Sequence, residues 1–156
     1  ADTVSEELAF GLGNRGLTKE TMIEKINRVA EIVQITDLLN RNPLELSGGQ
    51  VQRVALAAAI ILEPQILILD DALSAVDAKT ETEILSSLRK ERADKTTMIA
   101  AHRLTSVMDA DLILVLKDGQ IVERGNHQQL LAADGWYAEM WRRQELQAKV
   151  GEDTDE

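Results

Sequence analysis

Leu46-Ser47-Gly48-Gly49-Gln50 is the stretch that decides how this 156-residue chain reads. It stands between Pro43 and an apolar-periodic run from Val51 to Leu62. That run sets Val51, Val54, Ala55, Ala58 and Leu62 on one face at helical spacing. Ser47 is a natural N-cap, and Gln50 three residues on completes a capping box. The two glycines between them leave the first backbone N–H groups uncovered. Bare N–H groups at a helix start, beside a serine hydroxyl, suit an anion. Alone, the same residues read equally well as a plain helix start after a loop.

The sequence beyond Leu62 breaks the tie. After the break at Glu63-Pro64 comes Ile66 to Leu69, a continuous apolar run that predicts a strand covered on both faces, ending in the carboxylates Asp70 and Asp71. Then come Ser74-Ala75-Val76-Asp77, a β-branched strand Thr96 to Ala101, and Ala101-His102-Arg103. In this order the motifs resemble the ATPase domain of ABC transporters: signature, Walker B, D-loop and switch histidine. The resemblance extends over nearly the whole chain.

It implies an α/β fold, a partial P-loop NTPase (ABC ATPase) core with an α-helical subdomain, and it implies ATP and Mg²⁺ as ligands. Asp70 takes the place of the Walker B aspartate that holds Mg²⁺. Asp71 stands where the family usually has a glutamate that positions or deprotonates the attacking water. Aspartate is one methylene shorter, so its carboxylate sits back by roughly 1.5 Å, and a misplacement of about 1 Å can cost on the order of a hundredfold in rate. The same change is found in the degenerate sites of heterodimeric exporters. His102 takes the place of the switch histidine that contacts the γ-phosphate. Ser47, Gly48, Gly49 and Gln50 would close in trans over a nucleotide held by a second ABC ATPase domain in a head-to-tail dimer, with Ser74 to Asp77 lining the seam. A transmembrane domain would be the other partner. His127, in a loop after Gly125-Asn126, has no expected role, and the two histidines do not form a metal pair.

The pattern G-x-x-x-x-G-K-[ST] is absent, because no glycine is followed by lysine. The Walker A half is therefore expected to be missing, and the chain reads as the C-terminal portion of an ATPase domain, itself a negligible hydrolase. A net charge of −10 with few aromatics argues against a nucleic-acid groove. There is no cysteine, hence no disulfide and no thiolate metal site. No apolar run is long enough to span a bilayer and no signal peptide is visible. The expected location is cytoplasmic, peripheral to a membrane through a partner.

In chain order, Thr3-Val4-Ser5-Glu6 is a capping box opening a helix to Phe10, and Gly11, Gly13 and Gly16 predict a flexible loop. Thr18 caps a helix with Met22, Ile23, Ile26, Val29, Ala30 and Val33 inward and Lys19, Glu20, Glu24, Lys25 and Glu31 on a solvated face. Phe10 is read either as core or as part of a docking surface for a membrane domain. Asp77 caps a helix burying Ile84, Leu85 and Leu88. A short helix covers Arg103 to Met108. Asp118-Gly119 predicts a hairpin between Leu112–Leu116 and Gln120–Glu123. Helices are expected at Gln128–Ala133 and Trp136–Ala148. The divisions are 1–62 (helical subdomain with signature), 63–148 (Walker B half with C-terminal helices) and 149–156 (acidic disordered tail).

The stretch Thr3 to Ala58 resembles energy-coupling-factor and cobalt-type importer ATPases and lacks the exporters' longer insert. Ile66 to Gln144 resembles multidrug exporters. An unusual transporter and an engineered chimera both fit this mixture. Two rival functions are a soluble ABC ATPase of DNA repair or translation, and a non-catalytic interaction fragment.

Overall fold

The computed structural model describes residues 1–152, without the side chains of residues 14, 148 and 150–152. It divides into two units, residues 1–100 and the residues from Ala101 onward.

In the first unit, Thr3 accepts from the Glu6 N–H and starts α1 (Val4–Leu12), which buries Val4, Leu8 and Leu12 at successive turns. The N–H groups of Val4 and Ser5 donate to the carbonyls of Arg41 and Leu39 at 3.0 and 2.9 Å, so the helix start is tied to the turn before the signature stretch. The flexible loop expected from Gly11 is not there. Leu12 is buried, and its burial carries the helix past Gly11 into a 3-10 turn, Gly13–Arg15. Thr18 caps α2 (Lys19–Ile32), whose inward face is Ile26, Val29 and Ala30. Ile23, expected inward, is exposed. Next come α3 (Gly48–Ile60), β1 (Ile66–Asp70), α4 (Ala78–Glu91) and β2 (Thr96–Ala100). One apolar cluster joins them, drawing Leu8 and Leu12 from α1, Val54 and Ile60 from α3, Leu67 and Leu69 from β1, and Ile84 and Leu88 from α4.

β1 and β2 pair in parallel, from Ile66 opposite Thr96 to Asp70 opposite Ala100. Burial alternates along β1, and Ile66, Ile68 and Met98 are 60, 66 and 55 % exposed. The expected strand covered on both faces is thus covered on one. Among the described residues the first unit's sheet has two strands. Arg92, just past α4 and 5 % exposed, secures the entry to both strands. Its Nη1 donates to the Pro64 carbonyl at 2.8 Å, its Nη2 to the Thr96 carbonyl at 3.1 Å, and its Nε to the Thr97 hydroxyl at 3.1 Å. A buried cation stripped of water needs such carbonyl and hydroxyl acceptors. Glu63 bonds Lys25, and with Lys95 and Arg28 also near, its carboxyl titrates below the ordinary range.

In the second unit, a 3-10 turn (Leu104–Ser106), shorter than the expected helix, leads to the hairpin of β3 (Ile113–Lys117) and β4 (Gln120–Gly125). Asp118 and Gly119 have φ of 51° and 77°, which fits the expected two-residue turn with both central residues left-handed. α5 (His127–Ala132) and α6 (Trp136–Glu152) complete the unit. α6 runs past residue 149, where an acidic tail was expected to begin, and residues 153–156 lie outside the described residues. The Glu123 carboxylate takes the N–H groups of Trp136 and Tyr137 at 2.6 and 3.1 Å, capping α6 from β4. His127 has a structural role: its Nδ1 lies 2.8 Å from the Tyr137 hydroxyl, and its ring meets Trp141 edge-on at 4.4 Å.

Tyr137 is 1 % exposed, and burial raises its phenol above the ordinary value of 10.0. The unfolded chain therefore loses this proton at lower pH than the folded one. Stability from the neutral phenol is intact below about pH 10 and is lost as pH rises toward the higher folded value. Both tryptophans are in α6, so their fluorescence reports on this unit. Urea midpoints followed by that signal should fall above pH 10, and Tyr137→Phe should flatten that limb. Parallel profiles in the two proteins would show that Tyr137 is not the group responsible.

Candidate functional site

The signature stretch forms the expected helix start. Ser47 is the N-cap of α3, the capping box is present, and Gln50 Oε1 accepts from the Ser47 N–H at 2.9 Å. Ser47 and Gly48 are exposed. The helix is turned about its axis from the sequence expectation. Val54, Leu56, Ala57 and Ile60 point inward, while Val51 is 47 % exposed and Ala55 is exposed. The face chosen is the one that keeps the bulkier Leu56 and Ile60 out of water, which periodicity alone did not resolve because Val and Ala occur on both sides.

Asp70 closes β1 with an exposed side chain, as the strand-end reading expects. The backbone then turns sharply. Asp71 has φ 51°, a left-handed conformation that aspartate tolerates better than most residues, and its N–H is held by the Ala100 carbonyl at 3.0 Å. Two turn bonds come next, Ser74 N–H to Asp71 carbonyl at 3.2 Å and Val76 N–H to Leu73 carbonyl at 3.0 Å, with Leu73 and Val76 buried as anchors. Asp77 caps α4 through the Thr80 N–H at 2.9 Å, and this bonding to Thr80 lowers its carboxyl below 3.8.

Two contacts fasten this loop to α3. Gln52 Nε2 donates to the Ser74 hydroxyl at 3.0 Å, and Gln52 Oε1 accepts from the Ala75 N–H at 2.9 Å. At Gly49 the backbones meet so closely that a Cβ would lie 2.5 Å from the Ala75 carbonyl oxygen, inside any real contact distance. Thus Ser47, Gly48, Gly49, Gln50, Ser74, Asp77, Asp70 and Asp71 belong to one unit, linked through Gln52 and Gly49. His102 lies in the second unit, exposed, between β2 and the 3-10 turn. Gln52 escaped the sequence reading. Its signal was a second amide in the helix, three residues after Gly49 and on the same side.

Among the described residues no group of three His, Asp or Glu could cage a metal ion. Mg²⁺ in phosphate sites is held mainly by phosphate oxygens and water with one or two carboxylates, and Asp70 fits that smaller demand. No helix among the described residues is long and apolar enough to cross a membrane.

Gly48 and Gly49 differ in what a methyl group would meet: open space at Gly48, the Ala75 carbonyl at Gly49. Gly49→Ala should cost about 1–3 kcal/mol, as overpacking does, while Gly48→Ala should stay within about 0.5 kcal/mol. Urea unfolding followed by circular dichroism checks this pair. Equal effects would mean that the close approach is not a constraint.

A family profile described as "ABC transporter" matches residues 2–74. The chain is 40 % identical over 164 aligned positions to ATP-binding cassette sub-family B member 6 of Homo sapiens, covering 98 % of this chain and 19 % of that protein. It is 39 % identical over 161 positions to the multidrug resistance-like ATP-binding protein MdlA of Escherichia coli (strain K12), covering 96 % of this chain and 26 % of that one. Both alignments are longer than the 156 residues present, so each relative carries residues that this chain lacks. A solved structure of a bacterial Atm1-family ABC exporter with ATP bound superposes with a TM-score of 0.77 at 38 % identity, covering 92 % of this chain and 26 % of the exporter chain. This chain therefore spans about a quarter or less of the length of these relatives, and within that span it belongs to the ABC transporter family as part of an ATP-binding domain.

Proposed function

We infer that this chain supplies the signature and Walker B half of an ATP-binding domain that drives transport by an ABC exporter. The observation that carries this reading is the fastening of the α3 start to the loop after Asp70 and Asp71 through Gln52 and Gly49. It makes one body of the two surfaces that phosphoryl transfer needs: a preorganised anion-binding helix start and a carboxylate-bearing strand end.

In this reading the exposed Ser47 and the first N–H groups of α3 meet the γ-phosphate of ATP held on a P-loop of a second ATPase domain. Gln50 holds the Ser47 backbone in the cap geometry, and Ser74 to Asp77 line the seam, with the Asp77 carboxylate taken up by Thr80. Asp70 offers one carboxylate to Mg²⁺, which when bound offsets charge on the phosphates. Asp71 orients the attacking water and accepts its proton, and His102 contacts the γ-phosphate. Phe10, 86 % exposed on α1, and Leu44, 93 % exposed before the signature, are available to a membrane domain. Within this chain Phe10 is not packed into the core. Attachment to such a domain would hold the chain at the cytoplasmic face of a membrane.

Asp71 makes the site slow. Its carboxylate is one methylene short of the usual glutamate, and its left-handed backbone fixes where the side chain can start. In a complete domain containing this chain, Asp71→Glu should raise kcat at this Walker B site at least tenfold with little change in KM for ATP. Equal turnover before and after the change removes the claim of a degenerate site, and absence of ATP hydrolysis in both, with an intact partner domain, removes the claim of an ATPase.

A further inference from the structure

We propose that Gln144 is a positioning residue for His102, acting from α6 on the backbone of the segment that carries the histidine. This rests on the reading of His102 as a γ-phosphate contact.

His102 lies where regular structure lapses. Residues 101–103 fall between β2 and the 3-10 turn at Leu104 and belong to neither. Backbone groups in such a segment have no ladder partner and need another one. The two that flank this bend find it in one side chain. Gln144 Oε1 accepts from the Leu104 N–H at 2.9 Å, and Gln144 Nε2 donates to the His102 carbonyl at 3.0 Å. The two bonds fix the amide orientation, because a flipped amide would set oxygen against carbonyl and N–H against N–H.

The reach across 40 and 42 residues is made rigid by packing. Tyr137, Trp141 and Gln144 recur at four and then three residues along α6, so they share a face. Tyr137 is a buried member of the second unit's apolar cluster, and Trp141 packs against it. Leu104, whose N–H Gln144 holds, belongs to the same cluster. The carboxamide is thus seated on a fixed helix and grips a backbone whose next residue is also fixed. What it immobilises is the peptide carrying His102, and with it the origin of the imidazole. A displacement of about 1 Å at a reacting group can cost on the order of a hundredfold in rate.

The arrangement parallels Gln52, which holds the Ser74-Ala75 loop by the same pair of amide atoms. Gln144 touches no expected reactant; it acts through His102.

Gln144→Met keeps the length and the packing and removes both hydrogen bonds. In this chain, exchange of the Leu104 amide should quicken at least tenfold while the tryptophan-monitored urea midpoint stays close to that of the parent. In a complete ATP-binding domain containing the chain, Gln144→Met should lower kcat about tenfold or more with KM for ATP unchanged. Added to His102→Ala, it should lower kcat no further, since both act through one group. If His102→Ala abolishes turnover while Gln144→Met leaves kcat intact, the positioning role is overturned and the reading of His102 stands. If His102→Ala leaves turnover unchanged, that reading fails and the positioning role goes with it. A fall in kcat that merely tracks a lowered urea midpoint, with Leu104 exchange unaltered, makes Gln144 a packing residue and likewise overturns the proposal.

Discussion

The contact on which the rest of the first unit depends is the seam between α3 and the loop after β1. It combines a steric requirement with an electrostatic one. At Gly49 the helix backbone comes so near the Ala75 carbonyl that no side chain fits. At Gln52 one carboxamide satisfies both the Ser74 hydroxyl and the Ala75 N–H. Together they act on a segment that also has two turn bonds and the buried anchors Leu73 and Val76. The start of α3 and the end of β1, whose elements also share the apolar cluster, are joined at this seam.

That coupling gives the family membership a physical content. The signature helix start and the Walker B strand end are joined by the Gln52 and Gly49 contacts. The exposed apolar residues are equally informative. Ile66, Ile68 and Met98 lie on the uncovered face of a parallel pair, an arrangement that parallel sheets rarely tolerate. The chain spans about a quarter or less of the length of its relatives, so the relatives have ample further sequence.

The sequence made much of this legible because punctuation and chemistry coincide in it. Thr18, Ser47 and Asp77 cap helices where their hydroxyl and carboxylate groups predict, and Asp118-Gly119 turns the hairpin. The motif residues from Ser47 to Asp77 fall in one unit in the expected order. What stayed hidden depends on partners distant in sequence. The inward face of α3 could not be read where Val and Ala occur on both sides. Continuity of apolar residues in β1 promised two covered faces, yet a strand's pattern records the environment its residues can accept, not which covers are present. The extension of α1 to Leu12 needed a neighbour to bury that leucine. Gln52, Gln144, Arg92 and Glu123 carry little local signal. Each is an ordinary polar residue until the fold brings a carbonyl or an N–H to its tip.

The Ala75 amide tests the seam most directly. Its exchange with solvent deuterium can be read in this chain beside the amides of the α3 core, such as Ala57 and Ile60, which are buried. If Gln52 and Gly49 make one body of helix and loop, the Ala75 amide opens only when α3 does, so its protection should match theirs and vanish in Gln52→Ala. Exchange of Ala75 at the rate of an unstructured peptide in the parent chain, with α3 still protected, would contradict the rigid seam and the function built on it.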